Sequence, residues 1–185
     1  MGISLLILAA GVSAFSTALS MRQREASKTD AITSTQAALN VMTREIGNAG
    51  FGLTTNGIVL GANDSTNKRL HFRANLYNND GATDATGEDI TFYFDADSGS
   101  VVRYDQNANF TTGVVNRISN VDFAYYDYIG SVRTGPNPAP TKDTGRVEIT
   151  LTVFLPDVVG QPTNQTTTVK SDVTLRNAPY MRGQY

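Results

Sequence analysis

The first forty-six residues constrain this chain more than any other part of it. From Met1 to Met21 no side chain is charged, and between Val12 and Ile46 there is neither glycine nor proline. At about 1.5 Å per residue a helix of that first length reaches ~31 Å, the thickness of a hydrocarbon core. A secretory signal would need a basic start, a shorter apolar run and a small-residue cleavage site, whereas the first basic residue here is Arg22. Further on, Ile32, Leu39 and Ile46 recur seven apart, and Met42, Ala38 and Ala49 fall near the same face. Arg22, Arg24, Glu25, Lys28, Asp30, Arg44 and Glu45 occupy the remaining positions. The pattern predicts one helix of more than forty residues, apolar all round at first and amphipathic later, closed by Gly47 and Gly50. A plain membrane anchor followed by a coiled-coil stalk is the blander alternative. Ala10, Ala14 and Ala18, with Gly11 beside them, have the small-residue spacing that lets helices approach closely in an apolar medium.

After Phe51 the hydrophobic period changes from 3.6 to 2, which places a boundary near residues 50–55 and divides the chain into residues 1–50 and 51–185. In RLHFRANLY, Leu70, Phe72, Ala74 and Leu76 face one way and Arg69, His71, Arg73 and Asn75 the other. EDITFYFD turns inward Ile90, Phe92 and Phe94, and DADSGS then leads into VVRYDQ, a hairpin. NVDFAYYDY follows, then RVEITLTVFLPD with Val147, Ile149, Leu151, Val153 and Leu155 on one side. The last strand, TTTVKSDVTLR, sets Val169, Val173 and Leu175 against Lys170, Asp172 and Arg176. Each strand has an apolar and a polar side, so the expectation is α+β: an antiparallel sheet with one face covered by the amphipathic half of the helix. IGSVRTGPNPAPTKDTG, with its three prolines, is expected to be an exposed loop.

Composition excludes several chemistries. The 185 residues hold no cysteine, so disulfides, thiolate catalysis and Cys-ligated metals are absent together. Net charge is -2 and the 15 Lys and Arg residues are scattered, so no basic face concentrates the field a nucleic acid requires. The single histidine, His71, stands between Arg69 and Arg73 on the polar side of its strand and is expected to be an ordinary surface residue. NNDGATDATGED and DADSGS gather oxygen ligands of the kind calcium takes, with Asp80, Asp84, Glu88, Asp95 and Asp97 the first places to look. Neither meets the full EF-hand pattern, and Asp, Asn and Gly also make turns, so no metal ligand is assigned. Asn63, Asn109 and Asn164 lie in N-x-S/T sequons, which are frequent by chance in such a composition. No catalytic or cofactor-binding residue is assigned, and the chain is expected not to be an enzyme.

QAALNVMTREIGNAGFG resembles the end of the first helix in type IV pilin-like proteins, in particular the PilW-type minor pilins and pseudopilins, where a run of the form mxRdixxAGF closes the helix. Met42, Arg44, Glu45, Ile46, Ala49, Gly50 and Phe51 hold those places, and ITFYFD, VVRYD, ISNVDFAYYD and RVEITLTVFLPD fit the same group. The family's basic leader and the Glu five residues into its apolar run do not occur here, the first Glu being Glu25. The expectation is therefore that the sequence starts inside a longer apolar helix. Arg22, Arg24 and Lys28 would by the positive-inside rule hold the β domain in the cytoplasm, and a basic leader upstream would reverse that balance.

The resemblance implies a structural subunit of a type IV pilus or type II secretion pseudopilus. It would lie in the bacterial inner membrane with a periplasmic β domain and reach the cell surface on assembly. Its partners would be other pilin or pseudopilin subunits and inner-membrane lipid, with no cofactor, no small-molecule substrate and no nucleic acid. Leu5, Leu6, Leu8, Val12 and Phe15 would make the apolar contacts, and Ile32, Leu39, Met42 and Ile46 would dock the helix on the sheet. The alternatives are a membrane-anchored binding module or tip adhesin recognising a surface or glycan and, with less beneath it, a membrane-anchored hydrolase.

Overall fold

The computed structural model describes residues 2–77, 81–157 and 162–183. It has one long N-terminal helix, α1 (Gly2–Ile46), packed against antiparallel sheets, an α+β architecture. The strands are β1 (Arg69–Arg73), β2 (Asp89–Asp95), β3 (Ser100–Asp105), β4 (Phe110–Val115), β5 (Ile118–Ile129), β6 (Val132–Asn137), β7 (Thr144–Phe154) and β8 (Thr166–Thr174), followed by the short α2 (Pro179–Arg182).

Where one sheet was expected there are two, with strand orders β1-β2-β3-β4 and β6-β5-β7-β8. Alternation tells which side of a strand is apolar but not which strand lies beside it, so the division could not be read from pattern. The inward residues of both sheets nonetheless meet in one core: Leu70, Phe72, Ile90 and Phe92 from the first, Phe123, Tyr125, Ile149 and Leu151 from the second. Leu76 departs from its expected place, because β1 ends at Arg73 and leaves it partly exposed. The expected exposed loop over residues 129–145 contains β6, an edge strand whose register with β5 shifts at Gly135 and Pro136, so the proline falls in an irregularity of the ladder.

The second half of α1 closes the core. Ala31, Thr35, Ala38, Leu39, Met42, Ile46 and Ala49 are buried, a stripe of helical period. Leu39, Met42 and Ile46 dock as expected. Ile32 sits at the margin, and its expected place is taken by Ala31 and by Thr35, whose hydroxyl donates to the Ala31 carbonyl at 2.6 Å and so enters the core satisfied. Arg103 Nε on β3 donates to Glu45 Oε2 at 2.7 Å, which pins the helix laterally.

The helix exit is sewn to β1 by backbone. Gly50 N donates to Arg73 O and Arg73 N to Gly57 O, each at 2.8 Å, and Asn75 N donates to Phe51 O at 2.8 Å. Gly50 has φ +76 and Gly57 φ +78, left-handed values that an L side chain resists. Asn56 fastens the turn to the β6–β7 connection: its Nδ2 donates to Thr141 O at 3.1 Å and to Thr144 O at 3.0 Å, and its Oδ1 accepts from Ile58 N.

Candidate assembly surface

The two halves of α1 differ in what surrounds them. Residues 10–19 are all exposed, around every side of the helix, whereas the stripe from Ala31 onward is covered. Ile3, Leu8, Val12, Phe15, Leu19 and Met21 are large apolar side chains left in the open, with Phe15 67 % exposed. A contiguous apolar surface of this kind marks a place where another apolar body sits. Of the expected contact residues, Leu8, Val12 and Phe15 are on this surface, and the Leu5 and Leu6 side chains lie outside the described residues. Ala10, Ala14 and Ala18 are exposed with them, and an added methyl at Gly11 would meet nothing within 4 Å.

Hydroxyls interrupt the surface at Ser13, Ser16, Thr17 and Ser20, and Thr17 returns its proton to Ser13 O at 3.0 Å. Among the described residues no helix is long and apolar enough to cross a membrane. Small and hydroxyl-bearing residues suit contact with another helix, where backbones approach and hydroxyls find carbonyls.

The β domain corrects the expectation for His71. It is buried, not on the surface, because the loop at residues 61–68 folds over the outward side of β1. Ser65 Oγ donates to His71 O and accepts from His71 N, both at 3.1 Å. The ring lies between two carboxylates, with Nδ1 at 3.1 Å from Asp64 Oδ1 and Nε2 at 2.5 Å from Asp89 Oδ1, while Arg73 Nε donates to Asp89 Oδ2 at 2.8 Å. Both nitrogens are engaged, so neither is open to a substrate. The polar letters of β1 hid this, since alternation cannot show that a loop covers the outer face.

Burial of Asp89 works against its charge, but the hydrogen bonds from His71 and Arg73 outweigh it and hold the carboxyl below the usual range. A carboxyl so depressed adds stability that is fully present above the unfolded value of about 3.9 and is lost as pH falls through the lower folded value. Asp89→Asn should lower stability at neutral pH by ~1–3 kcal/mol and flatten the decline below about pH 4. Urea melts of both proteins across that range measure it, and parallel curves would remove Asp89 from the account.

The two candidate calcium loops do not converge. Glu88 precedes β2 and Asp95 ends it, so a strand of about 20 Å separates them. Glu88 is buried and accepts backbone N–H groups from Leu76 at 2.6 Å, Tyr77 at 3.1 Å and Ala85 at 3.1 Å, which fixes its loop. Asp95 accepts from Asp97 N and from the Ser98 hydroxyl, a turn-forming arrangement. Asp80 lies outside the described residues, and among those described no group of three or more His, Asp or Glu side chains could hold a metal. Two of the sequon asparagines, Asn109 and Asn164, take positive φ in turns.

No family model matches the chain, and neither a curated protein nor a solved structure matches it. The fold is compatible with that of pilin-like proteins, a long N-terminal helix on antiparallel sheet, and the argument about function rests on the helix itself.

Proposed function

We propose that the chain is a structural subunit, a minor pilin or pseudopilin of a type IV pilus or type II secretion pseudopilus, assembling through the first half of α1. One observation carries the reading: a single helix is docked into the core at its C-terminal half and bare at its N-terminal half, with Leu8, Val12 and Phe15 exposed. In the proposed cycle the bare half is held among inner-membrane lipid with the β domain in the periplasm. It then exchanges lipid for neighbouring subunits' helices, a transfer in which no side chain from Met1 to Met21 carries a charge to desolvate.

A charge on this surface is the direct test. Phe15→Asp adds ~2.5–3.5 kcal/mol in an apolar setting, so recovery of the chain in a sheared filament fraction should fall by about a hundredfold or more. The β domain's circular dichroism should stay unchanged, because residue 15 touches none of the core. Recovery equal to the parent's would remove this half of α1 from assembly.

A second reading, a membrane-anchored binding module or tip adhesin, has one observation in its favour. On the outward side of β5 the Tyr126 ring lies beneath the guanidinium groups of Arg133 and Arg146, and Tyr128 stacks on Tyr180 at 5.2 Å. Retention of residues 30–185 on immobilised glycans, with no partner subunit retained, would favour it.

A further inference from the structure

We propose that residues 61–64, the first half of the loop at residues 61–68, are a flap over the first sheet, latched by the charged form of His71 and released when the ring loses a proton; residues 65–68 stay fastened by Ser65 to His71 and by Tyr125 and Phe123 to Thr66 O and Asn67 O. The geometry of the ring supports it. An imidazole that meets a carboxylate oxygen at each nitrogen satisfies both only when both nitrogens carry hydrogen. Here Nε2 meets Asp89 on β2 and Nδ1 meets Asp64 on the loop, and the ring is 3 % exposed. With one proton gone, one nitrogen turns a lone pair toward a carboxylate. The bond to Asp89 is the shorter and more deeply buried and is reinforced by Arg73, so the bond to Asp64, itself 40 % exposed, is the one that fails.

The charges around the ring balance only in the latched state: Asp64 and Asp89 against His71 and Arg73. Of the other titratable groups on this face, Arg69 lies over the Tyr93 ring on β2, and Tyr104 on β3 stands opposite Thr91 in register. Lys68, at the loop's end, is turned toward Asp122. None of these replaces the missing proton.

Two further features fit a movable cover. Thr91, the register partner of His71, is fully buried, yet its hydroxyl has no hydrogen-bond partner. A buried hydroxyl without a partner beside the ring is a cost of the closed state that water would relieve. Asp64 also reaches the ring only because residue 61 is glycine, since a Cβ there would stand 2.5 Å from Asp64 Oδ2.

His71 is the only histidine, so its ring resonances in the full chain need no assignment by mutation. Nitrogen NMR of the ring should be followed together with amide-exchange protection at Ser65, whose N–H donates to Gly61 O and closes the flap, from pH ~5 to ~9. The expected result is a fall in Ser65 protection of about tenfold or more that coincides with ring deprotonation. In Asp64→Asn the coincident step should vanish, and in Gly61→Ala protection should already be low in acid. Protection that is constant through the ring's titration overturns the proposal, as does a ring that keeps one protonation state over the whole range.

Discussion

Met42→Asp should unfold the β domain, not merely free the helix from it. Met42 is fully buried beneath both sheets, and nothing cationic in the core could pair with a carboxylate there. An unpaired buried charge costs about 3–5 kcal/mol, and loss of the methionine's own packing adds ~2 kcal/mol or more. The sum approaches the whole stability of a domain, usually ~5–15 kcal/mol. Without the stripe from Ala31 to Ala49 the inward faces of both sheets lose their cover. Circular dichroism and urea titration should show an unfolded chain or a midpoint shifted by several kcal/mol. The control is Val41→Asp, one residue away on the exposed side, which should change stability by no more than about 0.5 kcal/mol. Equal effects at 41 and 42 would mean that the helix is not docked as described.

Gly57→Ala should be nearly as damaging, for a different reason. A Cβ at residue 57 would stand 1.9 Å from Gly50 N and 2.5 Å from Arg73 O, both backbone atoms, and no side chain could move to relieve the clash. The φ of +78 adds strain of ~1–2 kcal/mol. Relief requires breaking the bonds that sew the helix exit to β1, so a loss of about 4 kcal/mol or more is expected. Gly113→Ala, where the added methyl meets nothing within 4 Å, should leave the urea midpoint nearly unchanged. If Gly57→Ala melts with it, the close approach of residues 50, 57 and 73 is not what holds the exit turn.

Much of this was legible in the residues. The helical period from Ile32 to Ile46 gave the docked stripe to within a residue or two, because an amphipathic helix must bury its apolar face. Alternation in RVEITLTVFLPD placed Val147, Ile149, Leu151 and Val153 inward, and all are buried. DADSGS makes the β2–β3 hairpin, with Asp95 paired to Ser100. What the pattern missed is whatever depends on contacts distant in sequence. FTTGVV in β4 carries too few apolar residues to announce a strand and is mostly exposed at its sheet's edge. His71 looked like a surface residue because its two carboxylate partners lie 7 and 18 residues away. Asn56 gives no sign that its amide gathers carbonyls 85 and 88 residues further on. Burial of Tyr125 pushes its phenol pKa upward and keeps the hydroxyl a donor to Thr66 O in the loop before β1 and, at 3.3 Å, to Arg69 O on β1, contacts that no local pattern contains.

The bare apolar half of α1 was the most readable part, since it depends on an absence of charge rather than on any distant partner; its role in assembly is what we propose. It is most directly tested by placing a photoreactive benzophenone side chain at Val12 in cells that assemble the filament and identifying what it captures. The account predicts covalent adducts to another subunit, within that subunit's own apolar N-terminal helix. Adducts to lipid alone, from a chain shown to be in the filament, would contradict it.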